Sequence, residues 1–220
     1  DPWGNSGYQT ALLSFFDSYN FTIDENSPDD EEFGIDPEML GRIFESLLED
    51  NKLKGTFYTP KEIVSRICKD ALINYLQSGF DSDSDKQLVT LFVESKDASS
   101  LGINHREIIS TLLRKIKVCD PAIGSGAFPI GMLNELTQCR MQLENLSQIS
   151  SADVKKHIIE RNLYGVDIEK GAVDIARLRL WLSLIIEEDT PTTLPNLEFK
   201  IIQGNSLMEI YDSKYFNKID

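Results

Sequence analysis

Three short β-type runs end in residues that could hold a nucleoside-like ligand. The first is Val118-Cys119-Asp120-Pro121-Ala122-Ile123-Gly124-Ser125-Gly126-Ala127-Phe128. A GxG turn between a strand and a helix lets a ligand approach backbone N–H groups at the helix N-terminus. A dinucleotide fingerprint would require a third glycine at position 129, where the chain carries Pro129. Asp120 at the strand end would repel a pyrophosphate and suits a cationic ammonium instead. S-adenosylmethionine offers one on its methionine end. A tight strand-to-helix turn with no ligand would read the same locally.

The second run, Tyr164-Gly165-Val166-Asp167-Ile168, places another acid at a strand end, where a carboxylate can accept both ribose hydroxyls. The segment separating it from the glycine loop is longer than the usual spacing of about 20 residues, which implies an extended or doubled crossover helix. Asp167 could equally cap the helix beginning near Lys170. The third run ends at Gln203-Gly204-Asn205-Ser206-Leu207. Asn205 there could donate to and accept from an adenine edge, or simply cap a turn.

These residues need elements to place them. Ile116–Cys119, Leu163–Ile168 and Phe199–Gln203 read as strands, and Phe128–Asn145, Ala152–Arg161 and Ala172–Glu187 read as helices. Strands alternating with helices predict a parallel sheet with crossovers. In Ala172–Glu187, Trp181 is expected in the core, and Arg177 and Arg179 in solvent or ion pairs. Lys155, Lys156, His157 and Arg161 are expected on a solvated helix face.

The first half reads as helical. Gln9–Ser18 is apolar, and Asp36-Pro37-Glu38 starts a helix carrying Met39, Leu40, Ile43, Phe44, Leu47 and Leu48. Thr59-Pro60-Lys61-Glu62 repeats that start signal. Asp81–Lys86 reads as a loop, Leu88–Val93 as helix or strand, and Asn104–Lys115 as a helix. The expected division is a helical region, 1–110, followed by an α/β region, 111–220.

Of the 220 residues, 41% are hydrophobic, no apolar run reaches membrane-spanning length, and the net charge is −14. Such a balance excludes a large duplex-binding surface on this segment, because phosphate neutralisation needs clustered Lys and Arg. Cys68, Cys119 and Cys139 lack CxxC spacing and read as free thiols, and His105 and His157 lack partners at ligand spacing, so no metal is expected. Asp1-Pro2-Trp3 opens neither a signal peptide nor an initiator Met, which suggests a segment from within a longer protein.

In this order, the motifs resemble the gamma-arrangement N6-adenine DNA methyltransferases, most closely the single-chain Type IIG restriction–modification enzymes and their phage-defence relatives. The resemblance also rests on Asn20–Asn26, Asp36–Gly41, Gly55-Thr56-Phe57-Tyr58-Thr59-Pro60 and Asn162–Leu184. It implies a partial Rossmann-like, S-adenosylmethionine-binding α/β sheet behind a mostly helical front, in a prokaryotic cytoplasmic protein. It further implies that Thr56, Phe57, Tyr58, Thr59 and Pro60 line the methionine end of the cofactor. Asp120, Ala122, Gly124 and Gly126 match the cofactor loop, Asp167 and Ile168 the ribose and adenine contacts, and Asn205 a position often held by Asp.

The family's catalytic Asn-Pro-Pro-Tyr loop does not occur in these 220 residues. Phe216–Asp220 resembles the opening of the strand before it, so the catalytic loop and the target-recognition domain are expected beyond Asp220, with most of the contact to double-stranded DNA. Pro28-Asp29 and Glu94-Ser95-Lys96 imitate a PD…ExK nuclease pattern, but their separation is too long. Alternative readings are a methylase of RNA or of protein glutamine, a non-catalytic S-adenosylmethionine-binding scaffold, and an NAD-dependent oxidoreductase, which Pro129 and Asp120 disfavour.

Overall fold

The computed structural model describes residues 59–143, 150–186, 193–208, 210–211 and 214–215. The expected helices at Gln9–Ser18 and after Asp36, the Thr56–Tyr58 motif and Phe216–Asp220 lie outside the described residues.

Three helices lead. α1 (Lys61–Gln77), α2 (Asp83–Ser95) and α3 (Ile103–Lys115) each bury one apolar stripe: Val64, Cys68, Leu72 and Leu76 on α1, Val89, Phe92 and Val93 on α2, Ile109 and Leu113 on α3. Two starts differ from the sequence expectation. Pro60 takes the N-cap position of α1 and no side chain caps it. The Ser/Asp-rich stretch expected as a loop is itself a helix start, with Ser82 at the N-cap and Asp83 and Asp85 in the first turn of α2. Carboxylates there favour the helix dipole.

A three-stranded parallel sheet follows. β1 (Val118–Asp120), α4 (Ala127–Leu143), α5 (Ser151–Arg161), β2 (Leu163–Asp167), α6 (Lys170–Ile185) and β3 (Ile201–Gln203) alternate, with sheet order β1-β2-β3. The long crossover between β1 and β2 is indeed doubled, α4 then α5. Val118 pairs with Leu163 and Asp120 with Gly165, while Gly165 pairs with Ile201 and Asp167 with Gln203. A separate antiparallel pair joins β4 (Ile210–Tyr211) to β5 (Lys214–Tyr215). The fold class is thus α/β, mostly helical.

One apolar cluster runs through all of this, from Val64, Leu72 and Phe92 through Ile109, Leu133 and Leu136 to Ile158, Leu163, Leu180 and Ile201. The helices close on one another at glycine: a Cβ on Gly131 of α4 would meet Val64 Cγ1 at 2.5 Å. Behind the interface Glu135 is buried and accepts from Lys96 Nζ and, at 3.4 Å, from Ser65 Oγ. On α5 His157 and Arg161 are exposed as expected and Lys156 is half-buried, but Lys155 departs from that solvated face and shares the buried stripe of Val154, Ile158 and Ile159. The neighbouring His157 meets Arg140, 3.1 Å from Nδ1 to Nη1.

Among the described residues, no helix is long and apolar enough to cross a membrane, and no group of three or more potential metal ligands occurs.

Candidate functional site

The C-terminal ends of the three strands lie side by side, and the glycine loop bends over them. Ile123 donates its N–H to Val166 O at 3.0 Å, which carries the β1–β2 ladder into the loop. The loop then turns through Gly124 at φ +52° and Gly126 at φ +88° before α4 begins at Ala127. Positive φ is where glycine lacks the Cβ penalty. At Gly126 space matters as well, since an added Cβ would lie 3.2 Å from Ala176 Cβ on α6. A Cβ on Gly124 would meet nothing within 4 Å. One glycine is therefore needed for close packing, and the other leaves open space.

Asp167 is the tie between the strands. Its Oδ2 accepts from Gly124 N–H at 2.8 Å, its Oδ1 from Glu169 N–H at 2.9 Å, and its carbonyl from Gly204 N–H at 2.8 Å. The loop after β1 and the loop after β3 both close onto this one residue. Ile168, 65% exposed, follows it, and its carbonyl accepts from Gln203 Nε2 at 3.0 Å.

Asp120 is arranged differently. Its Oδ1 accepts from Ala122 N–H at 3.1 Å, while its buried Oδ2 has no hydrogen-bond partner. Burial raises its pKa above the ordinary 3.8, the Ala122 N–H opposes that, and the Asp167 charge adds to the rise. A buried carboxylate oxygen without a donor costs free energy that a cationic N–H donor would recover. The donor set thus fits the ammonium of an amino-acid-bearing cofactor, and the open space over Gly124 leaves room for it to approach.

Asp120 and Asp167 end β1 and β2, and Ala122, Gly124, Gly126, Ile168 and Asn205 fall on the loops that follow the strands. Asn205 is exposed, and its Oδ1 accepts from Leu207 N–H at 3.0 Å, so it caps its own turn. Thr59 and Pro60 stand before α1, where the Pro60 carbonyl accepts from Ile63 and Val64 N–H. Helix α1 reaches the start of α4 through Cys68 Sγ, which donates to Phe128 O at 3.6 Å.

Arg177 forms the expected ion pair, with Asp174 at 3.8 Å, whereas Arg179 is buried rather than solvated. Arg177 hydrogen-bonds the carbonyl of Ile201 through Nε at 3.0 Å and Nη2 at 2.6 Å, fastening β3 to α6. Arg179 is only 4% exposed, and its Nη1 donates to Ser125 O at 2.8 Å and Ser125 Oγ at 3.1 Å. The sequence held a signal for it, because Ala172, Ala176, Arg179 and Ser183 recur at helical spacing on one buried stripe. Trp181 packs against the core as expected and donates Nε1–H to Pro195 O at 3.0 Å.

Known proteins resemble this chain over much of its length. Residues 98–207 match the family model of the DNA-methyltransferase domain of MmeI. A Methanocaldococcus jannaschii protein, provisionally named a type II restriction enzyme and methyltransferase, is 35% identical over 90% of this chain and 18% of its own length. DNA methyltransferase A of Bacillus subtilis is 26% identical over 68% of this chain and 16% of its own length. The chain spans less than a fifth of either relative.

Proposed function

We propose a function from the premise that this chain belongs to the MmeI DNA-methyltransferase domain family. It binds S-adenosylmethionine at the strand ends and serves a restriction–modification or phage-defence enzyme that methylates adenine N6 in double-stranded DNA. The observation that carries the cofactor reading is the orphaned Asp120 Oδ2 beside the glycine loop.

Asp120 receives the ammonium of the methionine end, and Gly124 and Gly126 let the ligand close on the loop beside Ala122. Asp167 offers its remaining lone pairs to the ribose hydroxyls. Ile168 would meet the adenine face and Asn205, at the end of β3, the adenine edge. Thr56, Phe57, Tyr58, Thr59 and Pro60 close the methionine end. On this reading the sheet is part of a Rossmann-like methyltransferase domain, residues 111–220, that leans on the helical region 1–110. The cofactor supplies an electrophilic methyl group on a sulfonium. This chain's residues hold it, orient it and exclude water, which is the positioning half of the rate enhancement. An adenine must leave the stack to present its amine, and that work belongs to DNA-gripping parts other than this acidic segment.

Calorimetric titration of the complete protein tests the reading. Saturable binding of S-adenosylmethionine, displaced by S-adenosylhomocysteine and not by NAD, is expected. Transfer of labelled methyl to duplex DNA, located at adenine by nucleoside analysis, tests the substrate. A folded protein that ignores S-adenosylmethionine would sink the proposal, and label on RNA or on glutamine would redirect it.

A further inference from the structure

We infer that Arg179 is a positioning residue for the cofactor loop: from α6 it fixes the conformation of Ser125, and through it the two left-handed glycines that shape the site. This rests on the S-adenosylmethionine reading above.

A guanidinium at 4% exposure is expensive to bury unless its donors are used. Here one nitrogen serves both the main-chain and side-chain oxygens of a single residue, Ser125, which is itself 8% exposed. Ser125 lies between Gly124 and Gly126, which have φ of +52° and +88°. Glycine has no intrinsic reason to stay in either region; within the loop Gly126 N–H bonds Ile123 O at 2.9 Å, and the rest of its shape depends on contacts from outside it.

Several such bonds or contacts reach it from outside. Ile123 N–H is tied to β2, Gly124 N–H to Asp167, Gly126 packs on Ala176, and Ser125 is held by Arg179. The last two come from one face of α6, three residues apart. The helix after β2 therefore grips the middle of the loop, while the strand end grips its beginning. A lysine keeps the charge but lacks the planar fork that places a nitrogen against two oxygens of one residue.

The decisive variants are Arg179→Lys and, as a packing control, Leu184→Val, a fully buried change on the same helix beyond the loop contacts. In the complete protein, Arg179→Lys should weaken S-adenosylmethionine binding about tenfold, the scale of one charge-assisted hydrogen bond. It should raise KM for S-adenosylmethionine by a similar factor while leaving kcat and the KM for DNA within about twofold of wild type. Leu184→Val should lower the melting temperature and leave cofactor affinity unchanged. A well-folded Arg179→Lys protein with wild-type affinity overturns the assignment. So does a cofactor loss in Leu184→Val equal to that in Arg179→Lys, since the effect would then be general loosening. Should Arg179→Lys fail to fold, Ser125→Ala decides instead. It removes one of the two acceptors and should weaken binding about threefold, a fraction of one hydrogen bond, and unchanged affinity overturns the assignment. Wild-type protein that never binds S-adenosylmethionine overturns the function proposed above and this inference with it. Binding that is lost in Asp120→Ala yet intact in Arg179→Lys overturns this inference alone.

Discussion

Asp120→Asn keeps the shape of the side chain and removes its charge, so it separates the demands of the fold from those of the site. Asparagine can still accept from Ala122 N–H through its carbonyl oxygen, as Asp120 Oδ1 does at 3.1 Å. What disappears is a buried negative oxygen with no donor. Because the folded pKa of Asp120 is raised above 3.8, the folded state binds a proton more tightly than the unfolded one. Its contribution is therefore most favourable below the unfolded value and is lost as pH rises through the folded value. At neutral pH the ionised group opposes folding. Removing it should stabilise the apoprotein by about 1 kcal/mol, the low end of the cost of an unsatisfied buried group, less what the new amide hydrogens forfeit. For a chain of this size that is a rise of roughly 2–4 °C in melting temperature. Binding should move the other way. Losing a charge-assisted bond from an ammonium, about 1.5–3 kcal/mol, weakens S-adenosylmethionine roughly ten- to hundredfold. Thermal denaturation and calorimetry on the same samples read both quantities. A variant that is destabilised and binds as tightly as wild type would show that Asp120 is a structural acid, and the reasoning from its orphaned oxygen would be wrong.

The same carboxylate makes cofactor binding depend on acidity. An ammonium pairs with the ionised form, so affinity should fall as pH drops below the raised pKa of Asp120, and that fall should be absent in Asp120→Asn. Calorimetry across the acidic range checks both. Gly126→Ala combines a φ of +88° with a Cβ only 3.2 Å from Ala176, and should cost about 1–3 kcal/mol of stability. Gly124→Ala, at φ +52° with open space around the added carbon, should cost about 1 kcal/mol in denaturant melts yet still impair cofactor binding. Of the three thiols, only the exposed Cys119 should react quickly with a disulfide reagent in the native protein. Burial pushes Cys68 up to about 12 and Cys139 up to about 11, so both should wait for unfolding. Fast native titration of all three would contradict the packing of α1 against α4.

The strand-end residues were legible because parallel strands announce themselves. Short β-type runs ending in Asp120, Asp167 and Gln203, each followed by helix or turn, leave little choice about which ends converge. The spacing alone called for an extended or doubled crossover, and the structure has the doubled one. The charged residues were harder, since a single letter does not say whether its charge meets water or a carbonyl. Asp83 and Asp85 looked like a solvated loop, yet acids after Ser82 are equally the first turn of a helix, and the apolar stripe that follows settles the matter. Among its basic neighbours Lys155 reads as part of a solvated face, although its spacing puts it with Val154, Ile158 and Ile159. Arg179 poses the same difficulty, since it is buried rather than solvated. Periodicity places it on the buried stripe of α6 with Ala172, Ala176 and Ser183, where a charge survives only if something specific accepts its protons. One acceptor is Ser125, 54 residues earlier, and no local pattern could name a partner that distant. A charged residue on an apolar helical stripe is therefore better read as a demand for a distant acceptor than as an exception to the pattern, and in this chain that demand leads to the glycine loop.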